Sequence, residues 1–207
     1  MKRILLPIGI VLVVLSGCGG ANEVQKEFAN AATNEEKPLS LENYKPESGI
    51  TKEFIQSGEF PYTETIIASK GNLIQKTVQL GDMKSLEIQK WTSKKVEKVY
   101  QEANPQEETS RLDKFKSVEA PELLISSQKG KGKTAKWEII EEGATLTTPY
   151  KEFTNVLVVK KTTDELADAD TIYTRYYAPG VGMIKDVYEV TGEEGYKVET
   201  ILQNITK

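Results

Sequence analysis

The sequence predicts an all-β protein: an antiparallel meander forming a curved sheet or half-barrel, after a disordered N-terminal tether. Three observations carry this expectation. From about Ile50 onward, runs rich in Val, Ile, Thr and Tyr recur roughly every ten residues. Glycine-containing turns separate them, and no stretch has the sustained 3.6-residue apolar period of a long helix.

The first element is not part of that fold. Met1-Lys2-Arg3 is a positive n-region, Ile4 to Leu15 an apolar h-region, and small residues follow, the layout of a secretory signal peptide. A membrane span needs about 20 apolar residues; this run is shorter and carries Pro7 and Gly9. Leu15-Ser16-Gly17-Cys18 resembles the lipobox of bacterial lipoproteins. That resemblance implies cleavage between Gly17 and Cys18 and a diacylglyceryl group on the Cys18 thiol, with the chain held at the outer face of the cytoplasmic membrane. Each buried methylene contributes about 0.8 kcal/mol, so two acyl chains anchor stably where one is marginal.

Residues 18–48 read as a lipid-anchored flexible tether. They are dominated by Asn, Glu, Lys, Ala, Ser and Pro, with too few apolar side chains to order themselves. A coil of about 25 to 30 residues has an r.m.s. reach of about 25 to 33 Å. The β domain is expected over 49–207.

Its strands are predicted at Tyr62 to Ala68, Leu73 to Leu80, Ser85 to Trp91, Lys95 to Gln101, Lys136 to Glu141, Ala144 to Thr147, Phe153 to Lys161, Thr171 to Tyr177, Met183 to Val190 and Tyr196 to Ile205. Val96, Val99 and Tyr100 also fit a helical face, so the fourth is the least distinct. Gly71-Asn72, Gly81-Asp82 and Gly192 to Gly195 supply residues that tolerate positive φ in tight hairpins. In "YYAPGVGMIK", Tyr176 to Lys185, Pro179 and Gly180 suit positions i+1 and i+2 of a type II turn, and Gly182 a bulge on re-entry to the sheet. Tyr173, Tyr176, Tyr177, Pro179, Gly180 and Gly182 are thus either a structural corner or the rim of a ligand site.

Composition removes several chemistries. With no histidine, Ser-His-Asp and Cys-His catalysis and imidazole metal sites are unavailable. With a single cysteine there is no intrachain disulfide or thiolate cluster. Of 27 basic residues, Lys2 and Arg3 leave with the leader, so 25 face 31 acidic residues in the mature chain, a net of −6. Such a surface offers no basic patch for nucleic acid.

Three motifs fall short. Gly132-Lys133-Thr134 looks like the end of a phosphate-binding loop, but position 127 is Ser127, and Trp137 to Gly143 is too short for the helix that must follow. No nucleotide is therefore expected. Glu107-Glu108, Glu141-Glu142 and Glu193-Glu194 are adjacent carboxylates in loops, whereas a glycosidase pair must face across a cleft. Asp164 to Asp170 lacks the glycine and final glutamate of a calcium loop, so no metal is expected. Curved antiparallel sheets bind apolar ligands on their concave face, so the tryptophans and tyrosines leave a pocket open as an alternative to plain packing.

The C-terminal third resembles a group of extracytoplasmic lipoproteins, common in Gram-positive bacteria, with a run "tP-x-G-x-F-x-N-V" followed by "YYApGvGlvK". The matching residues are Thr148, Pro149, Phe153, Asn155 and Val156, then Tyr176 through Lys185; glycine at 151 is replaced by Lys151. A further stretch is kept in part as Leu123, Leu124, Gly132 and Trp137, and the likeness extends weakly back to Tyr44-Lys45-Pro46. It implies an antiparallel half-barrel distantly like the LolA/LolB lipoprotein carriers, with no catalytic residues and no cofactor. The expected function is non-enzymatic: binding a lipid, an envelope polymer or a protein partner through the half-barrel. The alternative is a structural or accessory envelope module without a small ligand, and an envelope hydrolase using carboxylates fits least.

Overall fold

A computed structural model describes residues 39–56, 60–127, 137–166 and 169–207. The leader, Gly17, Cys18, the tether up to residue 38, the lysine-rich turn at 128–136 and the side chains of 164–168 lie outside the described residues.

The protein is all-β and antiparallel, as its sequence predicts. Eleven strands form one sheet: β1 (Ile50–Gln56), β2 (Phe60–Lys70), β3 (Leu73–Leu80), β4 (Met83–Trp91), β5 (Lys95–Ala103), β6 (Glu122–Ser126), β7 (Glu138–Thr147), β8 (Glu152–Leu166), β9 (Ala169–Ala178), β10 (Gly182–Val190) and β11 (Tyr196–Thr206). Two meanders, β1 to β6 and β7 to β11, join where β1 pairs with β11. The outer strands β6 and β7 come close to each other, so the sheet is nearly closed as a barrel.

β1 and β6 were not among the expected strands, and the two expected segments at 136–147 are one strand. Gly143, at φ +78°, lets β7 pass through irregular pairing with β8 without ending. Asn155, at φ +55° in β8, sits beside the same irregular register; asparagine tolerates that conformation better than most residues.

The folded unit begins before residue 49. It spans Pro38–Lys207, and a 3₁₀ turn at Leu41–Tyr44 buries Leu41 completely and Tyr44 almost so. Hydrogen bonds tie this strap to three hairpin turns at one end of the barrel. Leu41 N–H donates to Ser93 O (3.2 Å), Gly180 N–H to Asn43 O (3.0 Å) and Glu47 N–H to Gly180 O (2.9 Å), while Lys45 Nζ donates to Gly71 O. Leu41 and Tyr44 share a cluster with Ile74, Trp91, Leu157 and Tyr177, so the strap caps the barrel end with apolar side chains. Composition alone missed this because two apolar residues in a polar stretch suffice when a preformed hollow receives them.

A second cluster joins Phe54, Val156, Val158, Ile184 and Leu202. A third lies where the loop after β5 brings Leu112 and Phe115 against Leu86, Ile88 and Val99. Gln75 pins that loop, donating to Thr109 O (2.9 Å) and accepting from Arg111 N–H (2.6 Å).

Candidate functional site

Inside the barrel is a cavity of about 350 Å³, within the usual range for a small-molecule pocket. Pro46, Gly182 and Met183 line it at the strapped end; Gln56 and the partly exposed Leu80 line it toward the other. Apolar walls come from Ile74, Val78, Trp91, Val96, Leu124 and Tyr177.

The rest of the lining is ionic and follows the sheet register. Lys52 on β1, Glu64 on β2, Lys76 on β3, Glu87 on β4, Lys98 on β5 and Glu122 on β6 all face the cavity, so the sign of charge alternates across six consecutive strands. Lys52 lies directly opposite Glu64, Lys76 opposite Glu87 and Lys98 opposite Glu122. Opposite charges at such cross-strand positions attract, and like charges would repel. From the other meander, Arg175 on β9 lies opposite Asp186 on β10 and binds it at 3.3 Å.

The deepest part is a triad. Glu64 accepts from Lys52 Nζ and Lys76 Nζ, both at 2.8 Å, and from the Tyr62 hydroxyl. Lys52 is 1% exposed; it also donates to Met183 O (2.9 Å). Lys76 reaches Glu87 at 3.6 Å and Lys98 binds Glu122 at 2.7 Å, with Glu122 well exposed. The belt thus runs from buried residues to solvent-exposed ones.

Burial penalises each charged form, and the partners decide what survives. Burial would raise the Glu64 carboxyl, but Lys52 and Lys76 override it and hold it well below the usual carboxylate range. Lys76 is raised despite burial because Glu64 and Glu87 both face it. Lys52 is lowered, chiefly by burial, which Glu64 only partly offsets. Burial and then the Glu64 carboxylate push Tyr62 well up, so it remains a donor. Burial also raises Asp186, against the pull of Arg175. Glu64 and Asp186 therefore have opposed environments in one cavity. Each is paired with a cation.

Of the predicted rim residues, Tyr177 and Gly182 line the cavity; Tyr173, Tyr176, Pro179 and Gly180 do not. Pro179 and Gly180 form the expected turn, with Gly180 at φ +70° and Val181 N–H donating to Ala178 O (3.1 Å). Gly182 is required twice over. Its φ is +77°, and a Cβ there would meet Pro46 at 3.3 Å. The turn is thus the dock for the strap. Tyr177 packs edge-on to Trp91, and Tyr176 lies under Lys185. The carboxylate pairs stay on the surface, with Glu108 bound to Lys84. Among the described residues no acidic or cysteine cluster could hold a metal ion.

No protein-family model and no curated protein matches the chain. Two solved structures are similar in fold. One, from Bacteroides fragilis, is provisionally assigned as an exported protein with a YmcC-like fold; it shares 11% identity, with 78% of this chain and 97% of that one covered at a TM-score of 0.45. The other, from Parabacteroides distasonis, is provisionally assigned as a lipoprotein; it shares 12% identity, with 82% and 100% covered at a TM-score of 0.43. The site itself must carry the functional reading.

The eight charged groups of the cavity are what sequence reasoning missed, yet their signal is present. Lys52 stands between Ile50 and Phe54 at period two, Glu64 between Tyr62 and Ile66, and Lys76 between Ile74 and Val78. Arg175 stands in the same way between Tyr173 and Tyr177. A charge in the middle of an inward-facing apolar row, with its sign reversed on the next strand, predicts an internal ion-pair belt.

Proposed function

We propose that the chain is a non-enzymatic extracytoplasmic lipoprotein, held to the outer face of the cytoplasmic membrane by diacylglyceryl-Cys18, whose barrel binds a polar ligand carrying both signs of charge. The observation that carries this reading is the alternating belt of four cations and four carboxylates around one cavity. An acyl chain seated there would strip water from ions without returning hydrogen bonds, which is costly. A ligand with its own ammonium and carboxylate groups can insert into the sequence of charges near Lys98, Glu122, Arg175 and Asp186, the less buried members. The belt's net charge is zero, so neither a simple anion nor a simple cation is favoured overall. The tether supplies reach from the membrane surface, which suits a unit of an envelope polymer more than a bilayer lipid.

The test uses the full chain purified from membranes in mild detergent. Its thermal midpoint is followed with a lysyl-glutamate dipeptide and, separately, with palmitate. The dipeptide should raise the midpoint in a concentration-dependent way and palmitate should leave it unchanged. A rise with palmitate alone, or with neither, overturns the proposal.

A further inference from the structure

We propose that Glu87 and Gln89, on the inner face of β4, clamp one extended residue of a peptide: Glu87 accepts from its N–H and Gln89 donates to its carbonyl. This names a ligand class for the polar cavity and rests on that reading.

Both side chains line the cavity, while Leu86 and Ile88, which alternate with them along the strand, join the cluster under Leu112 and Phe115. Gln89 is 7% exposed, and its amide has a fixed direction. The Trp91 indole N–H, which can only donate, reaches Gln89 Oε1 at 3.2 Å, so the two N–H donors of Gln89 are turned away from Trp91. Among the described residues nothing accepts from them. Gln75, also buried, uses both ends of its amide, donating to Thr109 O and accepting from Arg111 N–H. Glu87 has the complementary deficit. It stands opposite Lys76, yet that ammonium is 3.6 Å away and is held by Glu64 at 2.8 Å, and no described residue donates a hydrogen bond to Glu87.

Ion pairing accounts for Lys76 between two carboxylates, but gives no reason for a buried glutamine with half its amide unused. A peptide does. In an extended chain the N–H and C=O of one residue lie on the same edge, as in the hydrogen-bonded pairs of an antiparallel sheet. Such an edge brings a donor to Glu87 and an acceptor to Gln89, and adds no charge to a neutral belt. An acyl chain over the same wall would leave the Gln89 donors unpaired, which is costly. Register also carries the clamp toward the charged wall. Lys98 is directly opposite Gln89 on β5, where the pairing shifts between Ile88 and Gln89, and it lines the same cavity. A carboxylate just beyond the clamped carbonyl thus has a cation on the neighbouring strand.

The probes are acetyl-lysyl-glutamate, the same peptide methylated on the lysine backbone nitrogen, and uncharged acetyl-alanyl-alanine amide. Each is titrated calorimetrically against the full chain in mild detergent. The first should bind saturably, and methylation, which removes the clamped N–H, should weaken it about tenfold. Glu87→Gln, in which Lys76 keeps Glu64, should retain the wild-type circular dichroism spectrum and weaken the unmethylated peptide more than the methylated one. Gln89→Glu keeps an acceptor for the Trp91 indole and removes both donors, so it should weaken the unmethylated peptide about tenfold. Saturable binding of acetyl-lysyl-glutamate that is indifferent to methylation and to both variants overturns the clamp and leaves the ionic cavity standing. Binding of the uncharged peptide alone, lost in Glu87→Gln, leaves the clamp and overturns the ionic reading. Binding of none of the three overturns both.

Discussion

Glu64→Gln is the sharpest perturbation of the barrel interior. The substitution keeps the size and shape of the side chain and removes one negative charge from between two ammonium groups, each 2.8 Å away. Lys76 retains Glu87 at 3.6 Å, but Lys52, 1% exposed, is left with the Met183 carbonyl and the Phe54 ring and no carboxylate. Breaking a buried pair from one side costs about 3 to 5 kcal/mol, because an uncompensated charge stays behind. At about 2 to 4 °C per kcal/mol for a domain of this size, the midpoint should fall by roughly 6 to 20 °C at neutral pH.

The pH dependence follows from the same geometry. The folded Glu64 carboxyl titrates below its unfolded value of about 4.3, so its contribution is complete above that value and is lost as pH falls further. The gap between wild type and Glu64→Gln should therefore narrow in acid. It should also narrow in base, because Lys52, already lowered by burial, loses its proton more readily once Glu64 is neutral. Replacing the triad together with Glu87, Lys52→Met, Glu64→Leu, Lys76→Met and Glu87→Leu, should recover part of the loss, since no charge of the group is then left unpaired and only the Tyr62 hydroxyl loses its acceptor. Differential scanning fluorimetry across pH reads all of this. A single variant within 1 kcal/mol of wild type, with no pH dependence in the difference, would falsify the buried triad.

Two further outcomes are expected. Gly182→Ala places a Cβ 3.3 Å from Pro46 at φ +77°, so it should destabilise by about 1 to 3 kcal/mol and expose the strap to limited proteolysis before the sheet; uniform cleavage would contradict the docking role. Cys18→Ser should move the chain from the membrane fraction to the soluble fraction or leave an uncleaved precursor; fractionation like wild type, with no palmitate incorporated by wild type, would sink the anchor.

Strand positions were legible because edges and turns obey local rules. Leu73 to Leu80 is bounded on both sides by Gly-containing pairs, and the observed β3 has those limits. β1 and β6 were not legible in the same way. Ile50–Gln56 carries Lys52 and Glu53 at its centre, which reads as a solvated turn until one knows that Lys52 has a partner on the next strand. Glu122–Ser126 is only five residues, paired with β5 between Lys95 and Lys98, too short a run to stand out from the loops beside it. The β1 miss has a plain cause: a charge looks like surface in a sequence, and Lys52 is buried only because Glu64 on the next strand pairs with it.

The strap shows why a short sequence marker and a short polar segment can depend on each other across more than a hundred residues. Gly180 exchanges backbone hydrogen bonds with Asn43 and Glu47, and Gly182 leaves room for Pro46. The Pro179 to Gly182 turn is therefore shaped by what it holds as much as by the strands it joins. The strap thus closes one end of the barrel, while Leu80, 39% exposed, lines the cavity toward the opposite end.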